Sequence, residues 1–315
     1  MHRTRALVFA GLAAALSAFP LLADQRLEKD LTLEPGGRFS IETDAGKVTL
    51  TGSSDSGVHI VVTSRHKDLD EILNFRFDQS AGSASVVARR KHKLDFFSGW
   101  HDSVEWQIRV PAQTKVSIDT SGGSIDVSGV RDVLRLETSG GGVHVRDQVG
   151  DVDCHTSGGG ITLNDIKGTV KAETSGGGVH AKTIDGPIHA ESSGGSIELE
   201  GVTGDIDADT SGGGIRIADA GGKVRADTSG GGIEASFARG NSSGGTLETS
   251  GGGIEVTLDP SADLSIEASG NAVRTDLPLR VRGEVSHGRL SGSLGKGGNT
   301  LRLHTSGGSV RIQSL

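Results

Sequence analysis

The side chains whose type and spacing could carry chemistry are acidic and recur every 18 positions. They are the carboxylates of Glu137, Glu173, Glu191, Asp209 and Asp227. Carboxylate oxygens are the ligands that Ca²⁺ prefers, so stacked copies would form a cation ladder. The alternative is a solvated acidic face, which basic residues two positions earlier would neutralise. The calcium-binding nonapeptide pattern is absent, so we predict no specific metal and no cofactor.

A second candidate site combines basic and aromatic residues between positions 89 and 100. Such a segment could dock on an anionic envelope surface or on a partner protein if its rings are exposed. The alternative is that the rings form the core of a cap while the bases stay in solvent. The predicted contact residues are Arg89, Arg90, Lys91, Lys93, Phe96, Phe97 and Trp100.

The sequence lacks the motifs of the common enzyme classes. Gly240 to Gly244 matches G-x-S-x-G in form, but that motif needs a turn from a strand into a helix. Paired carboxylates can hydrolyse glycosides, and Asp207 with Asp209 or Asp153 beside His155 are conceivable pairs. A sugar groove usually needs aromatic platforms, which this region lacks. We therefore predict no catalytic residues and no enzymatic activity.

The first 23 residues have the pattern of a signal peptide. Arg3 and Arg5 precede an alanine-rich apolar stretch, and Ala23 stands at the expected cleavage position. We expect an exported chain that does not span the membrane after cleavage, in the periplasm or outside the cell. An uncleaved anchor is the alternative. The single cysteine, Cys154, cannot form an internal disulfide.

A repeat of 18 residues must position the acidic side chains and Cys154. The motif Thr-Ser-Gly-Gly-(Gly/Ser)-(Ile/Val) recurs, with small variations, and its second residue is Ser121, Ser139, Ser157, Ser175, Ser193, Ser211 and Ser229. Within each unit, apolar and polar residues alternate on both sides of a second glycine corner, which indicates two short strands. A fixed short period is typical of a solenoid. The spacing loosens towards Ser250, Ser269 and Ser306.

Aligning the repeats predicts which side chains face inward. The column with Ile118, Leu136 and Cys154 should fill the core, and the repeat threonines should face inward as a hydroxyl ladder. The acidic column should face outward, as should a mixed column with His144 and His180. Those two histidines lie two turns apart, too far to share a metal ion. The predicted fold is all-β: a single-stranded parallel β-helix (β-solenoid) with ~18-residue coils, capped at both ends.

Composition supports a thin core and excludes one class of partner. Gly accounts for 50 of the 315 residues, and aromatic residues for 3%. The formal net charge is −8, which argues against nucleic-acid binding. The domain boundaries we predict are a signal peptide at 1–23, opening coils and a cap at 24–119, a regular solenoid at 120–258, and final coils with a second cap at 259–315.

Beyond the repeat, the chain resembles a known family. Val110-Pro-Ala-x-Thr-Lys-Val116, followed by Ser-Gly-Gly-Ser-Ile-x-Val coils, is similar to the bacterial putative-adhesin domain family, whose function is largely unknown. The resemblance covers residues 36–315. It implies the parallel β-solenoid fold and transfers no catalytic motif.

The predicted function is that of an exported, adhesin-like solenoid that acts in surface binding or as an envelope scaffold. Its partner would be an envelope protein or a glycan. One alternative is a structural protein that self-associates end to end. A second alternative is a carbohydrate-active β-helix enzyme.

Overall fold

The chain folds into two long β-sheets that face each other across one continuous apolar core. The structure is a computed structural model, which describes residues 25–65, 68–91, 104–281 and 286–315. One sheet has 14 strands and is called sheet A here; the other has 15 strands and is called sheet B. In the repeat region each coil gives one strand to each sheet, as the predicted parallel β-solenoid requires.

The described residues of the N-terminal part form seven strands and one helical turn. In chain order they are β1 (Gln25–Leu31), β2 (Arg38–Thr43), β3 (Lys47–Ser53), β4 (Val58–Ser64), α1 (Leu69–Ile72), β5 (Leu73–Ser80), β6 (Ser83–Arg90) and β7 (Val104–Pro111). Buried and more exposed residues alternate along β2, β3 and β7, as in strands with one face on the core, and α1 is a single turn.

The repeat region alternates strands of sheet B and sheet A. They are β8 (Lys115–Thr120), β9 (Ile125–Ser128), β10 (Leu134–Thr138), β11 (Val143–Val149), β12 (Val152–Thr156), β13 (Ile161–Lys167), β14 (Val170–Thr174), β15 (Val179–Asp185), β16 (Ile188–Ser192), β17 (Ile197–Val202), β18 (Ile206–Thr210), β19 (Ile215–Ala220), β20 (Val224–Thr228), β21 (Ile233–Phe237), β22 (Gly245–Thr249) and β23 (Ile254–Leu258). From β10 to β20 each sheet-B strand pairs in parallel with the strand exactly 18 residues away.

The C-terminal part does not stack in chain order. Its strands are β24 (Leu264–Ser269), β25 (Val273–Thr275), β26 (Arg280–Val281), β27 (Arg289–Leu294), β28 (Asn299–Thr305) and β29 (Val310–Ser314). The last coil, β28 with β29, pairs directly with β22 and β23. The earlier strands β24 and β25 lie outside it. The repeat at Ser306 is therefore the spatial neighbour of the repeat at Ser250, and the repeat at Ser269 lies beyond both.

Both ends of the stack change from parallel to antiparallel pairing. At the N-terminal end, β4 and β1 add to sheet A and β5 adds to sheet B, all antiparallel. At the C-terminal end, β27 and β26 add to sheet B in the same way. The N-terminal end also holds a larger core, in which the buried indole of Trp106 packs against Phe75 and donates to the Ala45 carbonyl oxygen over 3.0 Å. At the C-terminal end the outermost strands β25 and β26 have only three and two residues, and such short edges limit edge-to-edge pairing.

The predicted inward columns are buried. Ile118, Leu136, Cys154 and the alanines that follow them in register are at most 1% exposed. The threonines also face inward, but they do not form a hydroxyl ladder. The Thr156 hydroxyl donates to the Gly141 carbonyl oxygen of the preceding coil over 2.8 Å, and the Gly159 amide donates to that hydroxyl over 3.3 Å. The hydroxyls thus fasten the glycine corner of one coil to the next.

The glycine corner has no room for side chains at its middle position. A Cβ built on Gly195 would lie 2.2 Å from the Gly177 carbonyl oxygen, whereas one on the adjacent Gly194 would lie 3.4 Å from its nearest neighbour. At the second corner, Gly168 has φ of +145° as well as a tight approach. The coil between β21 and β22 is longer, and there the amide nitrogen of the buried Asn241 donates to the carbonyl oxygens of Ala220 and Gly222.

A third recurring feature was not predicted. The sheet-A strands bend at a position where the backbone is left-handed in every coil from Gly129 to Asp219. Two of these positions hold glycine and three hold aspartate, both of which tolerate this conformation. Thr183, with φ of +58°, is the exception, because a β-branched residue is strained there.

We predict that Gly195→Ala destabilises the solenoid by about 2 kcal/mol or more, since the backbone of two coils must separate. Gly194→Ala, one residue away in the same corner, should cost well under half of that. Urea unfolding followed by circular dichroism measures both. Equal midpoints for the two variants would contradict the close approach of the corners.

We predict that Thr183→Asn stabilises the protein by about 0.5–1 kcal/mol, because asparagine adopts the left-handed conformation at lower cost. Thr162→Asn on the neighbouring extended strand is the control and should be neutral or destabilising, since asparagine disfavours strands. Thermal unfolding compares the two, and a lower melting temperature for Thr183→Asn would show that the bend is not strained.

Candidate functional site

The outer surface of sheet B carries most of the predicted site residues and is called the charged face here. The parallel register places the predicted cation-ladder residues in one line, with one member on each strand. In order along the stack, this acidic column is Glu42, Asp119, Glu137, His155, Glu173, Glu191, Asp209, Asp227 and Glu248. Their side chains are half-buried or exposed.

A second outward column runs beside the acidic one and contains both basic and acidic residues. It contains Arg135, Asp153, Lys171, His189, Asp207 and Arg225. Arg135 lies 3.5 Å from Asp153, and Arg225 donates to Asp207 over 2.9 Å. Lys171 instead reaches across to Glu173, with 2.8 Å between Nζ and Oε1. Opposite charges one strand apart stabilise a sheet, whereas like charges destabilise it.

The acidic column is not electrostatically uniform. Partial burial raises the pKa of Asp119, and the neighbouring carboxylates Glu137 and Glu42 raise it further. The hydrogen bond from Lys171 lowers the pKa of Glu173, with a smaller contribution from His155. Asp119 therefore holds its proton to higher pH than an ordinary carboxyl, while Glu173 stays ionised to lower pH.

Three potential metal ligands converge at the centre of the charged face. Glu173, His189 and Glu191 each offer one ligand atom, and these atoms lie within 4.8 Å of one another. His189 was not singled out from the sequence. His189 could have been identified by applying the 18-residue register to both outward columns. This register places His189 between Lys171 and Asp207 and diagonal to Glu173.

A shallow groove lies beside this cluster. It has a volume of about 560 Å³ and follows the second corner over several coils. Its lining includes Pro187, Ile206 and Lys223 together with His189 and Asp207. One imidazole therefore borders both the groove and the cluster of carboxylates.

The basic residues of the 89–100 segment bind neighbouring elements where the structure describes them. Arg89 at the end of β6 contacts Glu42 and donates to Asp44 over 3.0 Å. Although burial opposes ionisation, hydrogen bonds from the Arg90 amide and from Arg89 keep the pKa of Asp44 below its ordinary value. Lys91 donates to the Asp70 carbonyl oxygen. Lys93, Phe96, Phe97 and Trp100 lie outside the described residues.

The outer surface of sheet A contains the other mixed column. His144 and His180 occupy β11 and β15, two strands apart as predicted, and His180 lies 3.1 Å from Glu198. A groove of about 610 Å³ follows the glycine corner on this side, where Arg216 pairs with Glu234 over 2.6 Å.

The G-x-S-x-G match is not a nucleophile elbow. Ser242 lies in the loop between β21 and β22, which are both strands, and its hydroxyl accepts a hydrogen bond from the Asp263 amide over 3.1 Å. The motif requires a helix after the serine. Within the described parts of the chain, no helix is long and apolar enough to cross a membrane.

We predict that Cys154 does not react with thiol reagents in the folded protein. Its side chain is fully buried, and this burial, followed by the nearby charge of Asp153, raises the pKa of the thiol. The thiolate is the reactive form, so its fraction at neutral pH is negligible. Labelling with a chromogenic disulfide should be absent in buffer and stoichiometric in denaturant. Rapid labelling of the native protein would contradict the core assignment.

Comparisons with solved structures match proteins of very different sequence, all with low TM-scores. A putative lipid binding protein from Parabacteroides distasonis is 11% identical with a TM-score of 0.41, over 92% of this chain and 97% of that one. A putative adhesin from Bacteroides fragilis is 8% identical with a TM-score of 0.39, over 93% and 99%. A putative cell adhesion protein from Clostridium sporogenes is 12% identical with a TM-score of 0.25, over 93% and 100%. Such values say nothing about what this chain binds.

No protein in the curated set matches this chain significantly. The decisive match is to a protein family, and it comes from the sequence. Residues 37–313 match the family described as Toastrack DUF4097, which spans nearly the whole of the coils and both caps. This confirms the predicted membership of a putative-adhesin family of unknown function. The chain is a member of the Toastrack DUF4097 family.

Proposed function

We propose that this chain is an exported, non-enzymatic, adhesin-like solenoid that binds an envelope partner through its charged face. The observation that carries the proposal is the register of that face. Parallel strands hold its side chains in columns, and ion pairs such as Arg225 with Asp207 fix their orientation. A surface ordered before binding loses little conformational entropy when a partner docks.

Part of the acidic column keeps an excess of negative charge. Lys171 neutralises Glu173, while Arg225, which lies on the same strand as Asp227, donates to Asp207 in the neighbouring column. Glu191, Asp209, Asp227 and Glu248 follow one another in register without a lysine or arginine in their own column. This stretch presents a line of carboxylates, which favours a partner with complementary positive charge.

The proposed lack of enzymatic activity rests on the state of the candidate groups. Asp153 and Asp207 are engaged by arginines, and the thiol of Cys154 is buried and protonated. Catalytic acids and bases need a free, tuned group at the reacting atoms. A carbohydrate-active enzyme remains the alternative, and release of sugars from cell-wall or capsular glycans, abolished by Asp209→Asn, would establish it.

Export and location are part of the same proposal. The signal-peptide pattern at residues 1–23 supports export to the periplasm or beyond it, and these residues lie outside the described part of the chain. The 89–100 segment is the second contact in this proposal, and Arg89 and Lys91 fasten its start to Asp44 and Asp70.

Site-specific photo-crosslinking in cells tests the proposed binding face. A photoreactive residue replaces Asp209 or Asp227 on sheet B, and, as matched controls, Arg216 or Glu234 on sheet A of the same coils. We expect a discrete adduct from the first pair and none from the second. Equal adducts from both sheets would show non-specific contact. No adduct from any position would overturn surface binding and favour a structural role.

A second variant separates the charged face from the 89–100 segment. The triple change Phe96→Ala, Phe97→Ala and Trp100→Ala should leave the adduct at Asp209 unchanged while circular dichroism confirms folding. Loss of the adduct in this folded variant would transfer the binding site to the aromatic segment. Adducts between copies of the chain would instead support end-to-end or lateral self-association.

A further inference from the structure

We propose that Glu173, His189 and Glu191 form a binding site for a single divalent transition-metal ion, with Zn²⁺ as the best match. The proposal concerns this cluster alone and does not depend on the partner of the charged face. The sequence pattern pointed to a ladder of carboxylates along one column. The structure instead brings a nitrogen ligand from the neighbouring column between two of those carboxylates.

The backbone fixes the positions of the three ligands. Glu173 is on β14, and His189 and Glu191 are on β16, two residues apart and therefore on the same face of the sheet. The parallel register pairs Glu173 with Glu191 and Lys171 with His189. Their ligand atoms already lie within 4.8 Å of one another, so small side-chain rotations bring all three to one ion. Ligands on rigid strands hold their geometry better than ligands on loops.

The surroundings of His189 select the ring nitrogen that would bind the ion. Its Nδ1 lies 3.2 Å from Asp207 Oδ2, and Arg225 donates to the other oxygen of the same carboxylate over 2.9 Å. A carboxylate oxygen accepts hydrogen bonds, so this contact places the proton on Nδ1. The lone pair is then on Nε2, which faces Glu191 Oε2 at 3.9 Å. A carboxylate behind the imidazole is the usual support of metal-binding histidines.

Glu173 retains one oxygen for the ion. Lys171 contacts Oε1 at 2.8 Å, whereas Oε2 is 3.6 Å from His155 Nδ1. The carboxylate can therefore keep its ion pair with Lys171 through Oε1 and bind the metal through Oε2. Water would complete a four-coordinate shell.

The donor set decides which ion fits. Ca²⁺ needs six to eight oxygen ligands, more than two carboxylates at this spacing supply. One imidazole with two carboxylates suits Zn²⁺, and such sites commonly have four ligands with water in one position. Cu²⁺ and Ni²⁺ share the preference for imidazole and should bind as competitors.

Isothermal titration of the metal-free, tag-free chain with ZnCl₂ tests the proposal. We expect one Zn²⁺ per chain and no binding heat with CaCl₂. His189→Ala should weaken binding at least tenfold, and Glu191→Gln should do so as well. His180→Ala is the matched control, because His180 is an exposed histidine beside a single glutamate on the other sheet. This control should bind within twofold of the unchanged chain.

Asp207→Asn tests the orientation of the imidazole. Loss of the supporting carboxylate should weaken Zn²⁺ binding by about tenfold to a hundredfold. Circular dichroism and the metal-free melting temperature should stay the same, which separates this effect from misfolding. No saturable binding to the unchanged chain, or equal weakening by His180→Ala and His189→Ala, would overturn the site.

Discussion

The close approach of neighbouring coils at the glycine corner is the constraint on which the whole solenoid depends. The carbonyl oxygen of Gly177 occupies the place where a Cβ on Gly195 would be, and the same relation recurs from coil to coil. The threonine hydroxyls satisfy these carbonyl oxygens from the next coil, as Thr210 does for Gly195 over 2.8 Å. The same approach is kept between Gly231 and Gly252, where the coil has three more residues, so the corner aligns neighbouring coils whatever the length of the turn. The parallel register and the columns of side chains follow from this alignment.

Strict register also explains why surface charge is organised on this molecule. When each strand pairs with the next at the same separation in sequence, a residue type that recurs at one outward position of the repeat forms a column of like side chains on the surface. Such a line of carboxylates repels itself, and the mixed column beside it supplies bases at Lys171 and Arg225. The cluster at Glu173, His189 and Glu191 arises where the pattern in both columns varies within two coils. The proposed metal site therefore lies at a departure from the repeat.

The architecture could be predicted from the sequence wherever the neighbours of a residue repeat from coil to coil. Cys154 was assigned to the core because its column neighbours are Leu136 and Ala172, and this is its position. The left-handed bend at Thr183 was missed, since its column mixes glycine, aspartate and threonine and has no single signature. The order of the C-terminal strands was also missed, because repeats at Ser269 and Ser306 carry no mark of which follows Ser250 in space. His189 was overlooked because a metal cluster needs pairs across columns, which a reading of one column at a time does not compare.

The placement of β28 and β29 inside the stack has a consequence for biosynthesis. These strands follow β24 and β25 in the chain, yet they lie between β22 and β23 on one side and β24 and β25 on the other. Until residues 299–314 have been synthesised, β22 and β23 have an open edge, and β24 and β25 have no parallel neighbour. The stack therefore cannot close at this end in the order in which its strands are made. A chain truncated before residue 299 would retain an unprotected sheet edge.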